Sequence, residues 1–298
     1  MRPAWSVLLL TTLIGAGQGL YLALFAAELA GLGGSTLFVP AAAVALALLG
    51  AGLAASFFHL GRPERAWRSA AMWSTSWLSR EVIVLPAFMA LVAAYAWTQS
   101  FALGVLGLAT CLALFVCTGM IYACLPFLQE WRTPLTVVNF TLLGSASGLS
   151  AAAALAALLH APLARPYVVA ALAVGALAYL GRLASMVRNT RLRPKSTLAT
   201  AIGVKHPGIV QIAQGAMGGS FNTREFFHGR PREVVRAVRW ALLALVFPVP
   251  ALLLWSGNPS ALVLGAAFVL QYAGLLAERW YFFAEAKHPQ NLYYQAIS

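Results

Sequence analysis

The sequence predicts an all-α integral membrane protein: one membrane domain, residues 1–298, in which eight transmembrane helices form a bundle. Hydrophobic residues make up 61% of the 298 residues and charged residues only 9%, against about 25% in a typical soluble domain. Eight apolar stretches are each long enough to cross a bilayer as a helix. Several of the connections between them are short and rich in Gly, Pro and Ser. This composition excludes a disordered chain, a fibrous chain and an ordinary soluble enzyme.

The eight spans can be assigned in chain order. The first follows a single arginine and continues past the length of a signal peptide without a convincing cleavage site, so we expect it to be retained. The predicted spans are 6–30, 37–60, 81–97, 101–125, 135–159, 166–187, 240–256 and 260–283. The connection 188–239 is too long for a simple turn. Within it, Ile209 to Met217 is predicted to form a short amphipathic helix, which the stretch Gly218-Gly219-Ser220 ends.

The charges predict how the bundle is oriented. The chain carries 20 Lys and Arg against 8 acidic residues, all of them Glu. An even number of spans places both termini on one side, and every Lys and Arg except Arg165 falls on that side. Because Lys and Arg accumulate on cytoplasmic flanks, we expect the termini and the connection 188–239 to be cytoplasmic, in a bacterial inner membrane.

The basic excess also bears on partners. No basic stretch with interleaved aromatic residues stands free of the spans, so the sequence does not predict nucleic-acid binding. The basic residues of the connection 188–239 suit an acidic partner surface or anionic membrane lipid.

Metal and haem sites are not predicted on this chain. Cys111, Cys117 and Cys124 lie in one apolar run with a spacing that suits neither zinc nor an iron–sulfur cluster, and we expect them to pack as small residues. A transmembrane haem needs histidines at matched depth, whereas His59 and His160 fall at opposite ends of the bundle. We therefore expect no haem and no iron–sulfur cluster here.

The segment from His59 to Glu81 is the most informative part of the sequence. The two residues end and begin sequential antiparallel helices, so they lie at similar depth on the predicted cytoplasmic side. Ionisable residues at membrane depth are costly and usually face the protein interior or a wet cavity. A histidine exchanges protons at neutral pH, a carboxylate can relay them, and an arginine can stabilise an oxyanion. The pattern fits either proton-coupled redox chemistry on a lipid-soluble quinone or an interfacial network that only ties down a loop.

The hypothetical quinone site has His59 and Glu81 as its catalytic groups. The residues placed around them are Arg62, Arg65, Arg80 and Trp77, with Gln18, Tyr122, Asn139 and Arg182 as more distant polar candidates. The tryptophans near this boundary are expected to form an interfacial aromatic belt, namely Trp67, Trp73, Trp77 and Trp131. Gly15 and Gly19 predict close helix packing, with an opening for a quinone ring as the alternative.

The stretch HLGRPERAWRSAAMWSTSWLSRE, residues 59–81, resembles the anchor subunit of dimethyl sulfoxide reductase, the DmsC family. The shared pattern is His-Leu-Gly-x-Pro followed by Leu-Ser-x-Glu. Other segments are similar to sulfite-oxidising relatives within this family, at 119–122, 130–136, 218–229 and 278–287. The resemblance covers the whole chain and implies the same eight-helix architecture.

The resemblance also implies a role. Such anchors exchange electrons with ubiquinone or menaquinone, while a molybdopterin subunit handles the substrate and the electrons travel through an iron–sulfur subunit. It implies that His59 and Glu81 belong to the quinone site, and leaves Arg62 uncertain because some relatives have a small polar residue there. Together with the charge bias it favours a cytoplasm-facing complex of the sulfite dehydrogenase type. The iron–sulfur subunit would then dock on the connection 188–239 and the tail.

Three alternatives stay open at the level of sequence. The electron flow could be reversed, with quinol oxidation feeding a reductase of dimethyl sulfoxide or of another S- or N-oxide. The chain could be a purely structural anchor. It could also be a proton-coupled secondary transporter, although the asymmetric long connection and the lack of an obvious inverted repeat weigh against that class.

Overall fold

The structure, a computed structural model, describes residues 1–32, 35–206, 208–213, 225–256 and 260–294; these residues form helices and connections without a strand. The helices are α1 (Trp5–Leu29), α2 (Ser35–Phe57), α3 (Trp77–Thr98), α4 (Phe101–Ala123), α5 (Pro134–Leu159), α6 (Ala164–Thr190), α7 (Leu198–Ile202), α8 (Arg232–Val246), α9 (Pro248–Trp255), α10 (Ala261–Glu285) and α11 (Asn291–Tyr294). Two 3₁₀ segments, Pro63–Ala70 and Ala161–Leu163, join them.

Eight stretches of the described chain are long and apolar enough to cross a membrane: α1 to α6, the pair α8 and α9, and α10. This confirms the predicted all-α class and the predicted number of spans. Most boundaries agree with the prediction within four residues.

Two spans start earlier than predicted. The third span begins at Trp77 rather than 81, because Ser76 caps the helix and its Oγ accepts a hydrogen bond of 3.3 Å from the Ser79 amide. Glu81 therefore lies one turn inside α3. The seventh span begins at Arg232 rather than 240 and is broken between Val246 and Pro248, because proline has no N–H to continue the helical bonds.

Helix α1 lies at the centre of the bundle and packs closely on α2 and α5. Gly15 and Gly19 of α1 meet Gly144 and Gly148 of α5 backbone to backbone, and a Cβ at Gly19 or Gly148 would overlap the opposite helix. These glycines serve close helix packing, as the spacing predicts. The alternative was that these glycines leave an opening for a quinone ring, but α5 occupies this space.

The predicted short helix at Ile209 to Met217 is wrong in its described part. Ile209 to Ala213 form no helix, and Ile212 is 98% exposed. A helix this short is marginal unless neighbouring structure buries its apolar face, and here the apolar side chains stay exposed. Residues 214–217 of this prediction, and the predicted break at 218–220, lie outside the described residues.

One end of the bundle gathers the chain's beginning, the residues before α8 and the segment after α10. The Met1 amine donates to the Ala286 carbonyl at 2.9 Å, and the Arg2 amide donates to the Glu225 carbonyl at 3.0 Å. We call this the Met1 end. It is the side that the charge distribution predicts to be cytoplasmic.

Candidate functional site

Glu81 is a buried carboxyl near the Met1 end. It lies on α3, has 7% of its surface exposed, and its Oε1 accepts a hydrogen bond of 2.5 Å from the Thr118 hydroxyl of α4. The uncharged Thr118 stands in an apolar run, so sequence reasoning missed it; only its position within one turn of Tyr122 could have pointed to it. The pair is a buried carboxyl and its hydroxyl donor, held between two membrane-spanning helices.

His59, Arg62 and Arg65 lie in the connection between α2 and α3. All three are exposed, and no ion pair joins His59 to Glu81 among the described residues. Partial burial lowers the pKa of His59 below its ordinary value. His59 is therefore mainly neutral at pH 7 and is protonated only as the pH falls through this lowered value. The histidine thus lies at the surface of the chain, whereas the carboxylate is buried.

Arg80 forms hydrogen bonds with the same connection. Its guanidinium donates to the Trp73 carbonyl at 2.9 Å and to the Ser74 carbonyl at 2.8 Å, and stacks 4.3 Å from the centre of the Trp77 ring. These contacts shape the turn that leads into α3. Arg80 and Trp77 therefore position the start of the helix that carries Glu81.

Tyr122 belongs to a group of five packed rings, which we call the aromatic cluster: Tyr122, Trp131, Phe140, Phe282 and Phe283. The expectation that Trp131 sits in an interfacial belt is wrong. It is buried, stacks on Phe282 with ring centres 5.1 Å apart, and donates from Nε1 to the Phe282 carbonyl at 3.0 Å. The α4–α5 connection folds back over the bundle, which removes this ring from the lipid boundary.

Arg182 pairs with two glutamates of α10. Its Nε lies 3.1 Å from Glu278 and its Nη2 lies 3.9 Å from Glu285, while Arg279 reaches the other oxygen of Glu278 at 3.5 Å. We call these four residues the ion cluster. These ion pairs are the ones found within the described ranges, and Arg182, Glu278 and Arg279 are buried. Sequence reasoning named Arg182 but not its partners, which lie about a hundred residues further along the chain.

The ion cluster meets the aromatic cluster at Arg279. Its guanidinium lies 3.5 Å from the centre of the Phe140 ring. Tyr122 is within electrostatic range of both Arg279 and Glu81. Among the candidates named from the sequence, Tyr122 is thus the one that connects the surroundings of Glu81 with the ion cluster.

The two other polar candidates tie helices together. Asn139 of α5 donates to the Ser185 hydroxyl of α6 at 2.7 Å, and Gln18 of α1 donates to the Cys111 carbonyl of α4 at 2.9 Å. Both side chains are buried. Their contacts are those of packing hydrogen bonds between membrane helices.

The surface at the Met1 end carries an open cavity of about 550 Å³. Its walls come from the α4–α5 connection, the residues after α6 and the tail, including Glu130, Lys195 and Lys287. Tyr293 of the tail donates to the Ala201 carbonyl at 2.9 Å, which joins the tail to α7. The described parts of the predicted docking surface therefore adjoin one another.

The eight apolar spans define a multi-pass membrane protein. It contains a buried carboxyl, and one end of the bundle carries buried ions and a surface of polar and apolar residues. The family model for the DMSO reductase anchor subunit (DmsC) matches residues 1–294, and the chain belongs to this family. The C subunit of the sulfite dehydrogenase of Allochromatium vinosum is 54% identical to it, with the whole of both chains covered. The chain is therefore a membrane anchor subunit of an oxidoreductase, and the resemblance seen in its motifs is confirmed.

Proposed function

We propose that the chain is the quinone-reactive anchor of a sulfite-oxidising complex and passes electrons from an iron–sulfur subunit to the quinone pool. The observation that carries the proposal is the buried Glu81, held by Thr118 one turn inside the Met1 end. The similarity to a sulfite dehydrogenase protein over the whole chain supports sulfite as the source of the electrons. The molybdopterin and iron–sulfur groups would belong to partner subunits.

Reduction of a quinone to a quinol takes up two electrons and two protons. Glu81 would deliver a proton from the protein side, since a carboxyl held away from water can donate to a developing oxyanion. His59 would exchange protons with water, because it is exposed and mainly neutral at pH 7. Arg62 and Arg65 are exposed cations that follow His59 in the same connection and could attract an anionic form of the ring.

The side of the membrane determines the energetics of the reaction. The charge bias favours a cytoplasmic Met1 end, so the protons for the quinone would come from the cytoplasm and turnover would build little membrane potential. A reporter fused to the C-terminus tests this directly. Activity of a reporter that works only in the periplasm would contradict the orientation.

The reverse electron flow is the second candidate, because the matching family model is that of a DMSO reductase anchor. In that case quinol oxidation would feed the reduction of an S- or N-oxide. The full-length match to anchor proteins supports either redox role over a secondary transporter.

The test is an assay of the purified complex. The chain is tagged at its C-terminus, extracted in mild detergent, and analysed for co-purifying subunits, molybdenum and iron. We expect sulfite-dependent reduction of both a soluble dye and a short-chain quinone. Dye reduction without quinone reduction would mean a purely structural anchor. Quinol-dependent reduction of an S-oxide, without sulfite activity, would establish the reverse direction.

A further inference from the structure

A second cavity lies within the membrane-spanning part of the bundle, away from Glu81. Its volume is about 410 Å³, it is lined by residues of α6, of the break between α8 and α9 and of α10, and it is open on one side. Most of its lining is apolar, with Gly175, Leu254 and the rings of Tyr179 and Phe247 among its walls. Those two rings are 4.9 Å apart, and Tyr179 is partly exposed on the outside of the bundle.

The break between α8 and α9 explains the role of Gln271, whose side chain is the one amide in the lining of this cavity. Pro248 and Pro250 have no N–H, so the carbonyls of Ala244 and Val246 lose their usual helical donors. Gln271 of α10 donates from Nε2 to the Val246 carbonyl at 3.4 Å and replaces one of them. Gln271 is 5% exposed, and its Oε1 has no hydrogen-bond partner among the described residues. The wall of the cavity therefore holds a buried acceptor that has no donor among the described residues.

The depth of the cavity in the membrane limits which class of molecule can supply such a donor. Gln271 is the eleventh of the 25 residues of α10, close to the middle of the span. The centre of the hydrocarbon layer is about 15 Å from either headgroup layer, so a phospholipid headgroup does not reach it. Acyl chains do reach it but carry no donor. A lipid-soluble hydroquinone has both a flat apolar ring and hydroxyl donors.

We propose that this cavity is a second site for the ring of an isoprenoid hydroquinone, with one ring hydroxyl donating to Gln271 Oε1. The inference rests on the proposed function for the identity of the lipid, and it adds a site that takes no part in the chemistry at Glu81. No redox step occurs there. The site would hold quinol between its formation and its release into the bilayer.

Gly175 provides a variant that closes the cavity. A Cβ added there meets no atom within 4 Å, so a side chain has open space at this position, and that of phenylalanine is large enough to occupy part of the cavity. Gly265 of α10 is the matched control, because its added Cβ also meets nothing within 4 Å and it does not line the cavity. Gly175→Phe and Gly265→Phe leave Gln271 and Glu81 unchanged.

The experiment uses the intact complex, kept reduced and labelled with a photoreactive azido-hydroquinone, followed by peptide mapping. We expect label on α9 or α10 peptides beside Gln271 in the wild type and in Gly265→Phe, and its loss in Gly175→Phe. Labelling that persists in Gly175→Phe, or a wild-type label confined to peptides around Glu81, would overturn the second site and leave the proposed function standing. A wild type with no label at either place would contradict both.

Discussion

Arginines occur in two contrasting regions at the same end of this bundle. In the connection between α2 and α3, Arg62 and Arg65 are exposed, and Arg80 in the first turn of α3 donates to two carbonyls of this connection. In the ion cluster, Arg182 and Arg279 are buried against Glu278. Sequence position alone makes Arg62, Arg65, Arg80 and Arg182 look like candidates for a quinone site. Burial separates them: an exposed charge is screened by water, whereas a buried one must keep its partner.

The largest expected effect follows from breaking the ion cluster. Arg182→Met leaves Glu278 and Glu285 without their shared cation, and breaking a buried ion pair typically costs about 3–5 kcal/mol of unfolding free energy. Thermal unfolding of the purified complex should show a marked loss of stability. Arg65→Met, which removes an exposed cation, is the control and should unfold like the wild type. If both variants unfolded at the same temperature, burial would not distinguish the arginines of the two regions.

A smaller effect is expected at the hydrogen bond between α4 and α3. Thr118→Val keeps the shape of the side chain but removes the donor to Glu81, which should cost about 1–2 kcal/mol for a bond between membrane helices. The matched control is Thr110→Val, because the Thr110 hydroxyl bonds only to carbonyls of its own helix. Thermal unfolding measures both variants. If Thr118→Val is no less stable than Thr110→Val, the Thr118 bond does not hold Glu81 in place.

Trp131 tests the aromatic cluster. Trp131→Phe keeps a ring against Phe282 but loses the Nε1 donor, so we expect a loss of about 1 kcal/mol. Trp67→Phe should have no effect, because Trp67 is 70% exposed. Melting temperatures of the two variants check this. A larger loss at Trp67 would restore the interfacial belt as the main role of the tryptophans here.

His59 should have the smallest effect on stability and a visible effect on pH dependence. An exposed side chain contributes within about 0.5 kcal/mol, so His59→Gln should melt like the wild type. His59 is mainly neutral at pH 7 because burial lowers its pKa, so it must take up a proton before it can pass one towards the quinone. Quinone reduction by the wild type should therefore rise as the pH falls through this lowered pKa, and the pH profile of His59→Gln should lack this rise. An unchanged profile would remove His59 from the proton path.

The transmembrane helices were largely predictable because the bilayer imposes a length and an apolar composition on them. The start of α3 was missed because Trp77 to Arg80 looks polar in a hydropathy window, whereas the Ser76 cap determines where the helix begins. The break before Pro248 was missed for a similar reason: it leaves the composition of the span unchanged and alters only its hydrogen bonds.

The site was only partly predictable. Glu81 could be singled out as a candidate because an ionisable residue at membrane depth, here at the predicted start of the third span, carries a high solvation cost. Thr118 carries no such signal, and the pairing of Arg182 with Glu278 depends on how α6 packs near α10. Trp131 was misplaced because its position near a boundary says nothing about the fold of the connection that contains it.

In the proposed reaction the buried carboxyl of Glu81, rather than the exposed charges near it, carries the proton chemistry. The most direct test compares Glu81→Gln with Glu64→Gln, an exposed glutamate of the Pro63–Ala70 segment. Sulfite-dependent reduction of a short-chain quinone is measured and normalised to dye reduction by the same complex. We predict a loss of about 100-fold for Glu81→Gln, the scale of general acid catalysis, with dye reduction and Glu64→Gln both unchanged. A Glu81→Gln complex with the wild-type rate and pH profile would contradict the claim.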